Sequence, residues 1–463
     1  MTLIKSISGI RGTIGGKVGE GLSPLDTVRF ASAYGSWIKQ ECKKESPFII
    51  VGRDARISGD IIRQLVISTL QSLGINVLDL GLSTTPTVEV AVQMENADGG
   101  IILTASHNPK QWNALKLLND KGEFINAKAG LEVLAIAEKD DFDFCDVDSL
   151  GTYKKDDTYI QKHIDSVLDL ELVNVQSIKN AKFKVVVDAV NSTGGIAVPA
   201  LLESLGVECV PLYCEPNGHF PHNPEPLPEH LTEISKLVVE HNADCGIVVD
   251  PDVDRLAIVN EDGSMFGEEY TLVAVADYIL SKTKGNTVSN LSSSRALREV
   301  TQKHGGTYFS SAVGEVNVVE QMKSCDAIIG GEGNGGIIYP SSHYGRDSIV
   351  GIALFLSLLA ERKMNCSDLR STYPNFFMSK NKIELTPEID VDMILSKMTE
   401  NYSQEEVTTI DGVKIDFENE WVHLRKSNTE PIIRIYTESI SRDSADSLAI
   451  RFINEIQELT QRV

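Results

Sequence analysis

Apolar runs of strand length alternate with amphipathic helical segments, and together they form a repeated unit of strand, polar loop, helix and returning strand. The strand, helix and final glycine of the three copies fall at 48–51, 60–73 and Gly74, at 183–187, 196–205 and Gly206, and at 287–291, 295–304 and Gly305. Glycine at a helix end can adopt the left-handed cap conformation. The alternation predicts related α/β units with mostly parallel sheets, whose binding loops follow the carboxyl ends of the strands.

The pattern changes from about Pro374, where short strands replace the α/β alternation. Strand patterns occur in KNKIELT, VKIDFE, WVHLRKS and IIRIYTES around a turn at Asp411-Gly412, and helices are expected near 391–398 and 443–459. These elements predict a separate C-terminal α+β domain of about 90 residues.

The composition indicates a globular protein that repels polyanions. The 463 residues include 42% hydrophobic and 24% charged residues, and the formal net charge is -23. We therefore expect neither a nucleic acid nor an anionic membrane as partner, whereas a small anionic substrate requires local arginines and lysines that reverse the potential. The seven cysteines form no CxxC pair, and no segment has the pattern of a signal peptide or membrane span. A cytoplasmic protein with reduced thiols is expected.

Three aspartates stand at alternate positions after an apolar strand in GIVVDPDVDR. Alternate side chains of an extended segment point the same way, so Asp250, Asp252 and Asp254 can converge on one hard cation. An EF-hand is excluded because Arg255 stands where that loop requires glycine and because the flanks are strand-like. Two alternatives stay open, namely a solvated acidic turn and a haloacid-dehalogenase-type phosphotransferase in which Asp250 is the nucleophile.

Other polar loops supply candidate ligands for phosphate and sugar. Ser106 in LTASHNP ends an apolar strand, but the local sequence does not distinguish a nucleophile from a serine that bonds a turn. RKSNTEPIIR brings hydroxyl, amide and cationic groups together, which favours phosphate binding over an ordinary turn. GGEGNGG lacks Rossmann and P-loop spacing, but its glycines allow close approach of a ligand, and Glu332 and Asn334 suit sugar hydroxyls. A flexible glycine turn stays open as the alternative for this segment.

Taken together, TASHNP, DPDVDR, GEGNGG and RKSNTEP resemble in order and spacing the motifs of the α-D-phosphohexomutase superfamily, and SGIRGTIG and GRDARISG are similar to its N-terminal segments. The resemblance extends over the whole chain. It implies four domains in a heart-shaped arrangement, three related α/β domains and a C-terminal TBP-like α+β domain. The expected domains are 1–152 with the phosphoserine loop, 153–254 with the metal loop, 255–370 with the sugar loop and 371–463 with the phosphate-binding loop.

The resemblance also implies an intramolecular phosphotransferase with a role for each matched residue. Ser106 would carry the phosphoryl group and complete a Mg²⁺ site with Asp250, Asp252 and Asp254. Transfer would give a sugar 1,6-bisphosphate, also the activator, which turns around before the other phosphate returns to the serine. Lys116 is the expected general acid or base, a role that requires a pKa lowered by nearby arginines. The other expected site residues are Arg11, Arg53 and His107 near the phosphoserine, and Arg255, Gly314, Glu332, Asn334, Arg425, Ser427, Asn428, Thr429 and Arg434 at the substrate.

One departure from the family pattern lies in the sugar loop. Many bacterial members have GExSGH there, whereas this chain has Asn334 and Gly336, so the usual histidine proton donor is absent and His107 and His343 are the candidate replacements. The GEGNGG form is similar to an archaeal-type branch of phosphoglucosamine, phosphomannose and phosphoglucose mutases.

The SNTEP and N-terminal segments resemble phosphoglucosamine mutases, which favours glucosamine 6-phosphate and 1-phosphate over mannose or glucose phosphates. The expected partner is a small sugar phosphate, and the expected enzyme is a monomer or homodimer. An aspartyl-phosphate phosphotransferase and a non-catalytic binder of sugar phosphate or metal are the alternatives from other classes.

Overall fold

The computed structural model describes residues 2–6, 9–384, 390–426 and 432–461. The described chain divides into two compact units, one formed by Met1–Ile279 with Asn334–Arg370 and the other by Leu280–Gly333 with Ser371–Val463. Among these residues, no helix is both long enough and apolar enough to cross a membrane.

The first unit begins with a mixed sheet and its helices. They comprise β1 (Ile4–Ser6), β2 (Gly9–Thr13), α1 (Pro24–Cys42), β3 (Phe48–Arg53), α2 (Gly59–Ser72), β4 (Asn76–Leu82), α3 (Thr85–Glu95), β5 (Gly99–Leu103), β6 (Trp112–Leu118), α4 (Ala127–Lys139) and β7 (Tyr153–Lys155). The strand order is β1-β2-β6-β5-β3-β4-β7, with β5, β3, β4 and β7 parallel. Ile49, Val51 and Ile101 in the central strands are fully buried, which explains their continuous apolar runs.

A second sheet follows in the same unit. Its elements are α5 (Tyr159–Leu168), α6 (Val175–Ala181), β8 (Lys184–Asp188), α7 (Gly194–Ser204), β9 (Glu208–Leu212), α8 (Thr232–Glu240), β10 (Cys245–Val249) and β11 (Leu256–Asn260). The order is β11-β10-β8-β9, in which β11 alone is antiparallel to its neighbour among the described strands. Since β7 pairs with β4 and β11 pairs with β10, the first sheet continues past residue 152 and the second past residue 254.

The third group of elements is shared between the units. It consists of α9 (Glu268–Lys282), β12 (Asn286–Asn290), α10 (Ala296–Lys303), β13 (Tyr308–Ser311), α11 (Glu315–Ser324), β14 (Ala327–Glu332), β15 (Gly336–Ile338), α12 (Ser348–Arg362) and α13 (Cys366–Ser371). In the second unit, β12 pairs in parallel with both β13 and β14. In the first unit, β15 precedes the buried helix α12.

The C-terminal part of the second unit is an antiparallel sheet with helices. Its elements are β16 (Phe377–Glu384), α14 (Val391–Asn401), β17 (Glu406–Thr408), β18 (Val413–Asp416), β19 (Trp421–Lys426), β20 (Ile432–Ser439) and α15 (Arg442–Gln461). The order is β16-β20-β19-β18-β17. Ile415, Leu424, Ile435 and Phe452 form its apolar core.

The structure confirms the repeated strand, loop, helix and strand units. The predicted copies correspond to β3-α2-β4, β8-α7-β9 and β12-α10-β13, and each pair of strands is parallel. Gly74, Gly206 and Gly305 have φ values of 79°, 67° and 71°, so all three adopt the expected left-handed conformation after the helix. The predicted C-terminal α+β arrangement, an antiparallel sheet with helices, is confirmed as well.

Substitution of Gly305 by alanine should lower stability through the backbone alone. A Cβ at this position would meet only the flexible end of Lys284, at 3.4 Å, so sterics with neighbours add little. An L-residue at this φ costs roughly 1–2 kcal/mol, and asparagine costs less. We expect urea denaturation followed by circular dichroism to show a loss of about 1–2 kcal/mol in the free energy of unfolding for Gly305→Ala and a smaller loss for Gly305→Asn. Equal losses would contradict the assignment to backbone strain.

Candidate active site

Ser106 lies just beyond β5 in a backbone conformation that is unusual for serine. Its φ is 48°, in the left-handed region that residues other than glycine rarely occupy. Its N–H donates to Thr104 Oγ1 at 2.9 Å, and its hydroxyl donates to Asp250 Oδ2 at 2.8 Å. Ser106 is buried. The surrounding contacts therefore hold a strained residue with its hydroxyl directed at one carboxylate.

Arg56, in the GRDARISG segment after β3, holds the loop that contains Ser106. Its buried guanidinium donates to four backbone carbonyls, those of Ser106 (2.5 Å), Asn108 (2.7 Å), Pro109 (2.8 Å) and Trp112 (2.9 Å). Guanidinium carries five N–H donors in a rigid plane, so one side chain can bind several acceptors at fixed angles. The serine loop is thus fixed from its inner side by one arginine.

Asp54 connects Arg56 to the backbone of Ser106. Its Oδ2 accepts from Arg56 Nε at 2.9 Å, and both side chains are fully buried. The same oxygen accepts from the hydroxyl of Thr104 at 2.7 Å, and that hydroxyl oxygen in turn accepts from the N–H of Ser106. Burial raises the pKa of Asp54, and the ion pair with Arg56 opposes that shift.

Asp250, Asp252 and Asp254 converge after β10, as the spacing predicted. All three are 0% exposed, and one carboxylate oxygen from each lies within 4.8 Å of the others. Val253 between them has a φ of 65°, which is strained for a β-branched residue. Within the described chain, Oδ1 of Asp252 and Oδ1 of Asp254 are buried without a hydrogen-bond partner. Buried carboxylate oxygens that lack a donor fit a hard divalent cation, so these residues could hold a metal.

Neighbouring donors fix the aspartate loop from several sides. The backbone N–H groups of Asp254 and Arg255 both donate to Asp250 Oδ1, at 3.1 Å each. The hydroxyl of Thr85 at the start of α3 donates to Asp252 Oδ2 at 2.6 Å. Since one oxygen of Asp250 faces the backbone and the other faces Ser106, this carboxylate joins the aspartate loop to the serine loop.

Two cationic side chains reach the aspartates. Lys116 on β6 lies 2.7 Å from Asp252 Oδ2 and 3.3 Å from Asp254 Oδ2. Arg346, just before α12, donates to Asp254 Oδ2 at 2.7 Å. Burial and then the charges of Asp254 and Asp252 raise the pKa of Asp250 well above its usual range. Burial would also raise the pKa of Asp252, but Lys116 outweighs burial and lowers it.

The protonation of Lys116 differs from the expected one. Burial lowers the pKa of its ammonium group, but the charges of Asp252 and Asp254 outweigh burial, and the pKa is raised. Arg346 acts in the expected direction with a smaller effect. The expected net lowering of the Lys116 pKa is therefore wrong, because the pattern of the sequence did not show that two carboxylates contact the amine.

His107 lies beside the serine, and its imidazole is uncharged at neutral pH. Its Nδ1 is 3.4 Å from Ser106 Oγ. Burial and then the positive charges of Arg255, Arg346 and Lys116 lower the pKa of His107 to about 2. A neutral imidazole is not the cationic acid that the missing sugar-loop histidine would supply. The other candidate, His343, lies in a separate buried cluster with Glu89 and Asp347.

The remaining arginines of the first unit occupy different positions around the site. Arg11 is on β2, where its backbone pairs with that of Ala114 on β6. Arg53 ends β3 and donates to the carbonyl of Asp54 at 3.0 Å. Arg255 donates to Glu225 at 3.3 Å.

Sequence reasoning missed two arginines that contact the site directly. Arg56 holds the serine loop, and Arg346 donates to Asp254. The GRDARISG segment contains Arg56 and gave a signal through its resemblance to the family. Arg346 gave none, because 92 residues separate it from Asp254.

In the second unit, Glu332 and Gly314 are in direct contact. The N–H of Gly314, at the start of α11, donates to Glu332 Oε1 at 3.2 Å, and Asn290 Nδ2 donates to the same oxygen at 2.8 Å. Asn334 belongs to the first unit, where its Oδ1 accepts from the N–H of Gly336 at 3.2 Å.

The expected phosphate-binding arginines face each other on adjacent strands. Arg425 on β19 is the direct partner of Arg434 on β20. Asp411 accepts from Arg425 Nε at 2.9 Å, and its other carboxylate oxygen accepts from the N–H of Val313 at 3.0 Å. The predicted ligands Ser427, Asn428 and Thr429 lie outside the described residues.

Comparison with known protein families shows to which family the chain belongs. Sequence models of domains I, II, III and IV of the phosphoglucomutase/phosphomannomutase family match residues 3–144, 161–263, 267–376 and 383–455. The chain belongs to this family. The prediction of a phosphohexomutase-type enzyme built from three α/β domains and a C-terminal domain is confirmed.

Relatives match the chain over almost its full length. It is 33% identical to a phosphoglucomutase/phosphomannomutase of Thermococcus kodakarensis, over 96% of this chain and 98% of the relative. It is 32% identical to a probable phosphoglucosamine mutase of Methanopyrus kandleri, over 98% of both chains. A crystal structure of a phosphoglucomutase/phosphomannomutase family protein from Burkholderia thailandensis has the same fold, with a TM-score of 0.84, 24% identity and coverage of 98% of both chains.

Loss of the Arg56 guanidinium should destabilise this phosphohexomutase strongly. In Arg56→Gln, Asp54 would lose its buried ionic partner, and removing one member of a buried pair costs about 3–5 kcal/mol. The matched control is Arg29→Gln, which removes an exposed pair with Asp140 and should cost less than about 1 kcal/mol. Urea denaturation of both variants measures the difference in the free energy of unfolding. Similar losses would show that Arg56 does not hold the serine loop as described.

Proposed function

We propose that this protein interconverts glucosamine 6-phosphate and glucosamine 1-phosphate through a phosphorylated Ser106 and a sugar 1,6-bisphosphate. The observation that carries the proposal is the hydrogen bond of 2.8 Å from the Ser106 hydroxyl to Asp250 in a buried group of three aspartates. A strained serine aimed at a candidate cation site suits a hydroxyl that alternately carries and releases a phosphoryl group. Membership of the mutase family favours this chemistry over an aspartyl phosphate on Asp250.

Mg²⁺ is the cation that best suits the aspartate site. Asp250, Asp252 and Asp254 would hold it together with the phosphoryl group on Ser106, since all the ligands are oxygens and the carboxylates are fully buried. When bound, the ion offsets the negative charge of the phosphoryl group and of the aspartates. The two unpartnered oxygens of Asp252 and Asp254 support this assignment.

Lys116 is the proposed proton carrier for the substrate hydroxyl. The contacts with Asp252 and Asp254 keep its amine protonated, so Lys116 places positive charge beside the phosphoryl group, and it serves as general acid or base once a bound cation offsets the two aspartates that raise its pKa. The neutral His107 ring next to Ser106 can accept or donate a hydrogen bond without adding charge. We assign Arg11, Arg53 and Arg255 to stabilising phosphoryl oxygens around the serine.

The second unit provides the proposed sugar and phosphate ligands. Arg425 and Arg434 are opposed on neighbouring strands, where two like charges destabilise a sheet, and the single carboxylate of Asp411 offsets only one of the two. A phosphate is therefore the proposed ligand of this pair, with Ser427, Asn428 and Thr429 as further donors. Asp411 already orients Arg425 and also binds the backbone of Val313, next to the Gly314–Glu332 contact.

Glu332, Gly314 and Asn334 are the proposed ligands of sugar hydroxyls. Carboxylate and amide oxygens accept from hydroxyls, and the amide nitrogen of Asn334 can donate to them. The hydrogen bonds from Gly314 and Asn290 hold the Glu332 carboxylate in one orientation, which reduces the entropy lost when a sugar binds.

Ser106→Ala should abolish both phosphorylation and turnover. Removing a covalent nucleophile lowers kcat by about three orders of magnitude or more, so mutase activity assayed with sugar bisphosphate should fall at least that far. The native protein should carry a phosphate that survives acid and is released by alkali. Ser68→Ala, which changes an exposed serine on α2, is the control and should retain both properties. A phosphate that persists in Ser106→Ala and is cleaved by hydroxylamine would instead identify an aspartyl phosphate.

The choice of sugar is tested by comparing substrates under one set of conditions. The 6-phosphates of glucosamine, mannose and glucose, each with its 1,6-bisphosphate, should give kcat/KM values that favour glucosamine by at least about tenfold, or ~1.4 kcal/mol. The preference for glucosamine is supported by the SNTEP segment and by the similarity to a probable phosphoglucosamine mutase of Methanopyrus kandleri. Equal values for the three sugars would remove the preference for glucosamine but leave the Ser106 chemistry intact.

A further inference from the structure

A second cluster of buried titratable groups lies in the first unit, apart from the aspartates after β10. It contains His163 of α5, His343 and Asp347 before α12, and Glu89 of α3. Their exposed fractions are 1%, 3%, 1% and 0%. One ligand atom each from His163, His343 and Asp347 lies within 4.8 Å of the others. The phosphoryl transfer proposed above uses none of these four residues.

Both imidazole rings present Nε2 to the same carboxylate oxygen. The Nε2 atoms of His163 and His343 lie 2.9 Å and 3.1 Å from Asp347 Oδ2. The other nitrogen of each ring also has a polar neighbour, since His163 Nδ1 lies 3.0 Å from Thr87 Oγ1 and His343 Nδ1 lies 3.3 Å from the carboxylate oxygen Glu89 Oε2. Metal-binding histidines have this arrangement, in which an outer hydroxyl or carboxylate fixes the Nδ1–H tautomer and leaves the Nε2 lone pair directed inward.

Positive charge at the centre of the cluster would balance its two buried carboxylates, Asp347 and Glu89. In the tautomer with the proton on Nδ1, His163 donates to Thr87 Oγ1 and His343 Nδ1–H faces the Glu89 carboxylate. Both Nε2 lone pairs then face an anionic oxygen, which is repulsive unless a cation lies between them. Two added protons or one divalent ion would remove the repulsion. A single divalent ion also neutralises two buried carboxylates, whose isolated charges are costly.

We propose that His163, His343 and Asp347 bind a structural zinc ion, with Thr87 and Glu89 as the outer partners that orient the two rings. Two imidazoles and one carboxylate are typical zinc ligands, whereas Mg²⁺ prefers oxygen and suits the aspartate site. The complete burial of the ligands favours a structural role over a catalytic one.

The zinc ion would join α5 to two segments that also contact the aspartate site. Asp347 Oδ1 accepts from the N–H groups of Ile349 and Val350 at the start of α12, and the preceding residue, Arg346, donates to Asp254. On α3, Thr85 donates to Asp252 two residues before Thr87. Fixing His163 to these segments would therefore hold Arg346 and Thr85 in the positions from which they contact the aspartates.

Metal analysis of the full-length protein tests the proposal directly. The chain is stripped with a chelator, reloaded with Zn²⁺ in the presence of excess Mg²⁺, dialysed and analysed for zinc by elemental mass spectrometry. We expect one zinc ion per chain in the native protein and in Asp250→Asn, which alters only the aspartate site. His163→Gln and His343→Gln should weaken zinc binding by at least about a hundredfold. His241→Gln, which changes an exposed histidine at the end of α8, is the matched control and should bind zinc like the native protein.

A second measurement uses the native protein alone and so tests the proposal even if the histidine variants fail to fold. X-ray absorption at the zinc edge of the reloaded protein should show a shell of nitrogen and oxygen with scattering from two imidazoles. Removal of zinc should lower the midpoint of thermal unfolding, and its return should restore it.

Three results would overturn the proposal. They are a native protein that retains no zinc, an all-oxygen shell at the zinc edge, and zinc binding that is lost in Asp250→Asn but kept in the folded histidine variants.

Discussion

Three carboxylates that share one buried site form the constraint around which the first unit is arranged. Asp250, Asp252 and Asp254 are fully buried and close enough to repel one another strongly. Lys116, Arg346, two backbone N–H groups and the hydroxyls of Ser106 and Thr85 all point at them. These donors come from both sheets of the unit and from the segment before α12. The need to balance the charge of one short loop therefore draws together parts of the chain that are far apart in sequence.

Each of the two loops that face each other across this site contains a residue with a strained backbone. Ser106 and Val253 both have positive φ, and hydrogen bonds from neighbouring side chains hold the loop of each. Arg56 binds the carbonyls around Ser106, while the hydroxyls of Ser192 and Thr193 donate to the carbonyl of Pro251 at 2.6 Å and 2.9 Å. A loop fixed in this way does not need to reorganise when charge moves, which is the condition for electrostatic stabilisation of phosphoryl transfer.

Local patterns in the sequence predicted the features whose residues lie close together along the chain. The helix-ending glycines Gly74, Gly206 and Gly305 marked the repeated units, and the alternate aspartates marked the cation site. Contacts between distant residues could not be read in this way. Arg346 contacts Asp254 although 92 positions of sequence separate them. Lys116 is a second example, because its pKa is raised by two aspartates more than 130 positions away. The family resemblance implied the role of Ser106. The charge state of Lys116 and the four hydrogen bonds from Arg56 to the serine loop could be recognised only in the folded structure.

The aspartate site and the buried histidine cluster depend on the same two segments of chain. Arg346 and Asp347 are adjacent, yet the first contacts Asp254 and the second contacts both histidines. On α3, Thr85 donates to Asp252, and Thr87, about half a helical turn further on, contacts His163. A displacement in one cluster must therefore move side chains in the other, because residues two apart on a helix or adjacent at a helix start cannot shift independently. The charge balance of the histidine cluster is thus part of what positions the donors of the aspartate site, even though no histidine of that cluster touches an aspartate of the site in the described contacts.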